Sequence, residues 1–300
     1  MSMLRSFSDD LATAVAGAAP GVVAVHARPR LPSSGVLLRS GVVVTADHAV
    51  RVEQEIRVVW ADGHVGPAAL VARDPGTDLA VLRVEETGRP VAPLGERPDL
   101  KAGHLVLAMG YGPRVSLGVV STVGGAWRTW RGGEVDQFLR LDLALYPGFS
   151  GGPLLDASGR LAGIVTSGLA RDLELAVPIA TVARVVEQLM SGGRVRRAYL
   201  GVGLQPVTLP DAAATLAPGA GGRALIVVKV EPDGPAAQAG LMLGDVLTAL
   251  DGAPLRDPHD VQAAVAGLPV GGTVRLSLLR AGAPLEITVT LGERPRPSGR

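Results

Sequence analysis

Apolar residues recur in short runs punctuated by Gly, Pro and Asp, the pattern of many short β-strands. Gly21–His26 reads as a strand, preceded by a short helix capped at Ser8. A Pro/Ser loop leads into a predicted hairpin from Ser34 to Thr45, and Glu55–His64 alternates before an Asp-Gly turn. Pro67–Ala72, Asp78–Val84, Gly103–Gly110, Ser116–Val123 and Phe138–Asp142 follow as strands, with 124–137 as a polar loop. Leu154–Val165 reads as strand, Asp-Ala-Ser-Gly turn, strand. One clear amphipathic helix, Thr181–Met190, stops at Gly192-Gly193. These elements predict an all-β barrel or sandwich over residues 1–195, closed by a helix.

The pattern then changes. Residues 196–293 predict a second, smaller domain: strands at Tyr199–Val207, Ala224–Glu231 and Asp245–Leu250, a short helix from Gly234, and a helix over Asp257–Ala266. A hairpin of Thr273–Leu279 and Leu285–Leu291 closes it, and a Pro/Arg-rich tail, 294–300, is expected to be mobile.

A chain of 300 residues can hold two such domains, each burying its own core. Aromatics make up only 3%, so Val, Leu, Ala and Ile must fill those cores. A net charge of +1, without a basic cluster interleaved with aromatics, argues against nucleic acid as a partner. The absence of cysteine excludes a disulfide framework and a thiolate metal site, and the histidines lack metal-ligand spacing. No metal or other cofactor is expected. No apolar run is long enough to span a bilayer. Leu11–Val25 makes a poor secretory signal, since Asp9 and Asp10 open it and Pro20-Gly21 break it. A cytoplasmic location is therefore the default expectation, and an extracytoplasmic one holds if the natural start lies further upstream.

The chemistry concentrates in Leu143–Asp156, where an apolar run stops at Pro147 and Gly148-Phe-Ser-Gly-Gly152 turns sharply. Glycines on both sides hold Ser150 outward and let backbone N–H groups converge, as an oxyanion site needs. The same residues match G-x-S-x-G, but a nucleophile elbow requires a following helix and a later histidine, whereas strands follow here. That leaves an esterase as the weaker reading. Upstream, His48 comes straight off an apolar strand, and Asp78 enters a fully apolar one and so needs a partner. His, Asp and Ser in this order fit a chymotrypsin-like triad. Asp74 reads as the residue of the Pro-Gly turn, and His26 and His64 as structural.

Three motifs, Thr45-Ala-Asp-His48, Asp74-Pro-Gly-Thr-Asp78 and Pro147-Gly-Phe-Ser150-Gly-Gly-Pro-Leu, make residues 8–291 resemble the HtrA/Deg family of trypsin-like serine proteases. Tyr199-Leu-Gly-Val202, Gly234-Pro-Ala-Ala-Gln-Ala-Gly-Leu and Gly244–Gly252 resemble a PDZ domain. The resemblance implies a mainly β fold, a chymotrypsin-like double β-barrel followed by that domain. It implies Ser150 as nucleophile, His48 as base, Asp78 as its orienter, and an oxyanion hole at Gly148, Phe149 and Ser150. It places the S1 pocket at Ala144, with Leu175, Ala176 and Val177 along a wall. Tyr199, Leu200, Gly201 and Val202 would hold a peptide C-terminus. Unfolded proteins or peptides as substrates, a role in protein quality control and a homotrimer follow from the same likeness. Phe149 stands where the family usually has Asn, and Tyr146 and Asp47 where smaller or amide residues are common. The alternative is a catalytically silent PDZ-containing binding or chaperone protein on the same scaffold.

Overall fold

The computed structural model describes residues 3–85, 88–92, 99–170, 172–193, 195, 198–210, 221–266 and 268–293. The chain divides into two compact units, Met1–Val195 and Arg196–Arg300.

In the first unit, helix α1 (Met3–Ala18) starts ahead of Ser8. Leu11, Ala14 and Val15, spaced for one helical face, lie against Leu107, Met109 and Leu155. Six strands then close a barrel in the order β1-β2-β3-β6-β5-β4. They are β1 (Val22–His26), β2 (Ser33–Arg39), β3 (Val42–Ala46), β4 (Ile56–Val59), β5 (Val65–Asp74) and β6 (Leu79–Val84). Val23, Val25, Leu37, Val43, Val58 and Leu82 fill its interior. The residues of opposite parity, Val36, Leu38, Val42, Val44 and Val81, point out of the barrel into a second buried cluster. Both faces of β2, β3 and β6 are covered, so their sequence reads as apolar runs rather than alternation.

The second barrel runs β11-β14-β13-β12-β7-β8. Its strands are β7 (Leu105–Gly110), β8 (Arg114–Gly124), β11 (Phe138–Asp142), β12 (Pro153–Asp156), β13 (Leu161–Thr166) and β14 (Leu175–Pro178). Between β8 and β11 the expected loop contains a small hairpin, β9 (Trp127–Arg128) with β10 (Glu134–Val135). An Arg128–Glu134 ion pair of 3.5 Å spans it, and the Thr129 hydroxyl anchors it to Gly76 O at 2.7 Å. Leu161, Ile164, Leu175 and Val177 face outward and share one core with the first barrel and with helix α2 (Ile179–Gly192). Each such side chain, fully buried, contributes about 1.5–3 kcal/mol. The helix ends at Gly193, whose φ of +66° lets its N–H reach Leu189 O at 2.9 Å.

The second unit pairs β15 (Ala198–Tyr199) with β22 (Gly292–Glu293) beside a sheet ordered β16-β17-β18-β20-β21. Those strands are β16 (Val202–Thr208), β17 (Arg223–Val230), β18 (Val246–Leu250), β20 (Thr273–Arg280) and β21 (Ala283–Thr290), with β19 (Ala253–Pro254) on β18. Helices α3 (Pro235–Gln238) and α4 (Pro258–Ala266) complete it. Leu225, Leu247, Leu276 and Val289 lie at its centre. The strand β16 is at a sheet edge, with α4 against it. The architecture is the mainly β one expected, a double barrel followed by a smaller β domain; the tail expected to be mobile lies outside the described residues.

Candidate active site

Strand β3 ends at Ala46 and turns at once through Asp47–Ala49. The turn is tied down because Asp47 N–H donates to Asp78 O at 3.1 Å. Before Asp78 the chain reverses, and the Asp74 carboxylate organises that reversal. It accepts the N–H groups of Gly76 and Thr77 at 3.2 Å each and the Thr77 hydroxyl at 2.7 Å. Asp78 itself has φ +57°, a left-handed conformation that aspartate tolerates better than most residues, and it is fully buried.

Its partners converge from both barrels. His48 N–H donates to Asp78 Oδ1 at 2.8 Å, and His48 Nδ1 lies 2.7 Å from Asp78 Oδ2. The Thr166 hydroxyl, from the end of β13, donates to that same oxygen and accepts Gly168 N–H at 2.9 Å. A carboxylate beside Nδ1 fixes the proton there and leaves Nε2 as the basic nitrogen. Gly168 closes the arrangement: a Cβ on it would lie 2.5 Å from His48 Nδ1 and 2.6 Å from Asp78 Oδ2.

Ser150 sits in the turn before β12. Gly151, with φ +88°, is pressed against the end of β3, where a Cβ would collide with Ser34 O and stand 2.8 Å from Ala46 N. Ser34 N–H donates to Ser150 O at 3.2 Å. The Ser150 turn of the second barrel is thereby fastened two residues from His48. The Ser150 hydroxyl is 3.1 Å from Ser167 Oγ and accepts Ser167 N–H at 3.4 Å.

Ahead of Ser150, Tyr146-Pro-Gly-Phe149 forms a turn closed by Phe149 N–H to Tyr146 O at 3.0 Å. Proline at the second position and Gly148 with φ +94° at the third mark it as type II. Gly148 O accepts the Ser34 hydroxyl at 2.7 Å. Among the described residues no acceptor takes the N–H of Gly148 or Ser150, so two donors remain for an oxyanion. The N–H of Phe149 is engaged, and its ring is fully buried in the second barrel against Tyr146.

The expected S1 wall needs correction. Leu175 and Val177 point into the core shared with α2, and strand alternation turns Ala176 alone toward Leu143 and Leu145. Ala144 is exposed beside them. Burial pushes the Glu174 carboxyl above its usual range, against the opposing hydrogen bond from Leu145 N–H. Asp47, next to His48, is buried and ion-paired with Arg73. Burial raises its pKa; Arg73 opposes that, Asp78 adds to it, and Arg131 opposes it weakly. In the second unit Gly201 has φ +84°, and the carbonyls of Leu200 and Gly201 accept Ala236 N–H at 2.9 Å and Glu231 N–H at 2.8 Å. Tyr199 pairs with Gly292, and Val202 begins the edge strand β16.

Thr166, Ser167 and Gly168 were not singled out by the sequence. The only signal is a Thr-Ser-Gly that ends an apolar strand.

Residues 33–164 match the trypsin-like peptidase domain family and residues 198–291 the PDZ domain family. A probable periplasmic serine endoprotease DegP-like of Brucella suis is 37% identical over 287 residues, covering 92% of this chain and 55% of that protein. The Halomonas elongata protein of the same description is 34% identical over 279 residues, covering 89% and 57%. The chain thus spans about half the length of the curated relatives it matches. Among solved structures, the HtrA-type protease AlgW with a decapeptide superposes with TM-score 0.75 at 30% identity, covering 95% of this chain and 99% of that one. The serine endoprotease from Yersinia pestis gives TM-score 0.75 at 32% identity, covering 95% and 98%. A double barrel carrying His48, Asp78 and Ser150 at its junction, joined to a PDZ domain and matched over nearly its whole length, belongs to the HtrA family of serine proteases.

Proposed function

We propose that the chain is a serine endopeptidase that cleaves unfolded or misfolded proteins through an acyl-enzyme. The pair of part-exposed His48 and fully buried Asp78, fastened across the barrel junction to the Ser150 turn, carries this reading. Ser150 Oγ attacks the scissile carbonyl as its proton passes to His48 Nε2. The N–H groups of Gly148 and Ser150 take the charge on the carbonyl oxygen. His48 then returns the proton to the departing amine, and water repeats the sequence on the ester. The hydroxyl of Ser167 holds Ser150 Oγ in the resting site. Casein hydrolysis and labelling by a fluorophosphonate probe test the proposal. Both should vanish in Ser150→Ala, and digestion undiminished in that variant would end it. A folded wild-type chain that neither labels nor cleaves would support the binding-protein alternative.

The apolar surroundings of Ala144 and Ala176 favour cleavage after Val, Ala or Leu. A peptide library dominated by Lys or Arg at P1 would refute that preference. The second unit is proposed to bind peptide C-termini at Tyr199–Val202, with the peptide added as a strand along the open edge of β16. The AlgW structure is described with a decapeptide, and a peptide ending in Val or Leu is the corresponding ligand here. Amidation of its C-terminus should weaken binding strongly; equal affinity would remove the carboxylate from the reading. The domains are proposed to run over 1–195 and 196–293, and the assembly to be a trimer with the exposed apolar residues Met3, Leu4 and Phe7 as contacts. A monomeric mass by light scattering would refute the trimer. The curated relatives are named periplasmic, and we propose an extracytoplasmic location for this chain as well.

A further inference from the structure

The guanidinium of Arg114 lies beside the Tyr146–Phe149 turn. It comes from the start of β8, immediately after the tight turn from β7. Its Nε donates to Tyr111 O at 3.2 Å, and its Nη1 donates to Pro147 O at 3.2 Å. The planar group stacks over Tyr111 at 4.5 Å and over Phe149 at 5.6 Å. A Cβ on Gly148 would stand 2.9 Å from its Nη2. Nη2 is buried and, among the described residues, has no hydrogen-bond acceptor. An orphaned guanidinium donor is costly, so its retention against Gly148, one of the two residues proposed to offer an oxyanion N–H, calls for a reason.

Turn geometry supplies one. Type I and type II turns share the same closing hydrogen bond and differ by a half-rotation of the central peptide. Here that peptide is Pro147–Gly148. In the observed type II form Pro147 O is directed to Arg114, and Gly148 N–H, trans to it, is directed to the opposite side. In the type I form the two would exchange sides, and Gly148 would no longer offer its donor to a substrate carbonyl. We propose that Arg114 is a positioning residue that holds this peptide in the type II orientation and so sets the oxyanion donor. The inference rests on the endopeptidase reading above. Phe149 belongs to the same device: the ring provides the face on which the guanidinium rests, so an arginine from the β7–β8 hairpin and a buried aromatic act together. Lysine does not reproduce Arg114, because its ammonium lacks the planar fork that bonds two carbonyls while stacked flat on two rings.

The test compares wild type with Arg114→Ala and Arg114→Lys on one peptide substrate. Both variants are expected to lose about tenfold to a hundredfold in kcat, the scale on which single oxyanion donors act, with KM changed less than threefold. The downfield proton NMR signal of the His48–Asp78 pair and the melting temperature report whether the rest of the site is intact, and both should stay near wild type. Methylguanidinium in the medium should restore part of kcat in Arg114→Ala and none in wild type, because it can occupy the space left behind. Wild-type kcat in Arg114→Ala would overturn the proposal. So would a loss of kcat accompanied by loss of the downfield signal, which would assign Arg114 to general folding. A wild-type chain without peptidase activity would instead refute the endopeptidase reading.

Discussion

A single methyl group at Gly168 is the sharpest probe of the His48–Asp78 pair. Gly168 is not among the positive-φ glycines, so alanine meets no left-handed strain there. The methyl carbon would stand 2.5 Å from His48 Nδ1, 2.6 Å from Asp78 Oδ2 and 3.0 Å from Asp78 Cγ. The first two are roughly 1 Å inside ordinary van der Waals contact. Asp78 is fully buried and also held by Thr166, so the imidazole is the group that must yield. A shift of that size takes the 2.7 Å His48–Asp78 hydrogen bond past the limit at which it orients anything. Loss of the orienting carboxylate costs such triads about 10⁴ in kcat, or roughly 5.5 kcal/mol of transition-state stabilisation. Gly168→Ala is therefore expected to lower kcat by about 10² to 10⁴, with a stability cost of about 1–3 kcal/mol from overpacking. Steady-state peptide hydrolysis and a thermal melt measure the two together. Activity within threefold of wild type at an unchanged melting temperature would show that the methyl is accommodated and that this contact does not hold the imidazole.

Three further outcomes are expected. Phe149→Ala should cost about 3–5 kcal/mol in denaturant melts, because the ring is fully buried, and Phe149→Asn should be no milder, since it buries an amide in an apolar cluster. Burial alone would raise the Asp245 pKa, but the Arg280 ion pair at 2.7 Å and Met242 N–H outweigh it and hold the carboxyl below its ordinary range. Its contribution to stability is then complete above the unfolded-state pKa and is lost as pH falls through the lowered value. Asp245→Asn should flatten the acid limb of a plot of melting temperature against pH, and an unaltered limb would contradict the ion pair. Arg73→Ala should strip the buried Asp47 of its ion-pair partner and lower the melting temperature, and an unchanged melt would contradict the pairing.

The strands and the chain order of His48, Asp78 and Ser150 were legible because each sits on a local signature. An apolar run ends or begins there, or a glycine pair forces a turn. The parts that were not legible act across long separations. Thr166 reads as one more residue of an apolar strand, and only the fold brings its hydroxyl to Asp78, 88 positions away. Arg114 reads as a polar residue after a turn, and nothing nearby in sequence announces Pro147 O. The parity of β14 was open for a different reason. Both of its faces are buried, so composition alone does not say whether Leu175 and Val177 or Ala176 face the substrate side. The hairpin β9–β10 escaped because its strands are two residues long and depend on the Thr129 anchor to Gly76.

The division of the site between two barrels has a consequence for the chain's own safety. The first barrel brings His48 and Asp78, proposed above as base and orienter, and the second brings the proposed nucleophile Ser150, its turn and the hydroxyl of Thr166. A molecule with only the first barrel formed holds a histidine with nothing to activate. One with only the second holds an alcohol no more reactive than any other serine. During synthesis, or after partial denaturation, neither half-built form can digest the unfolded neighbours around it, which are the material the finished enzyme is proposed to cut. On the proposed reading, both halves of the site are in place only where the two barrels share the core of Val44, Val81, Ile164 and Val177.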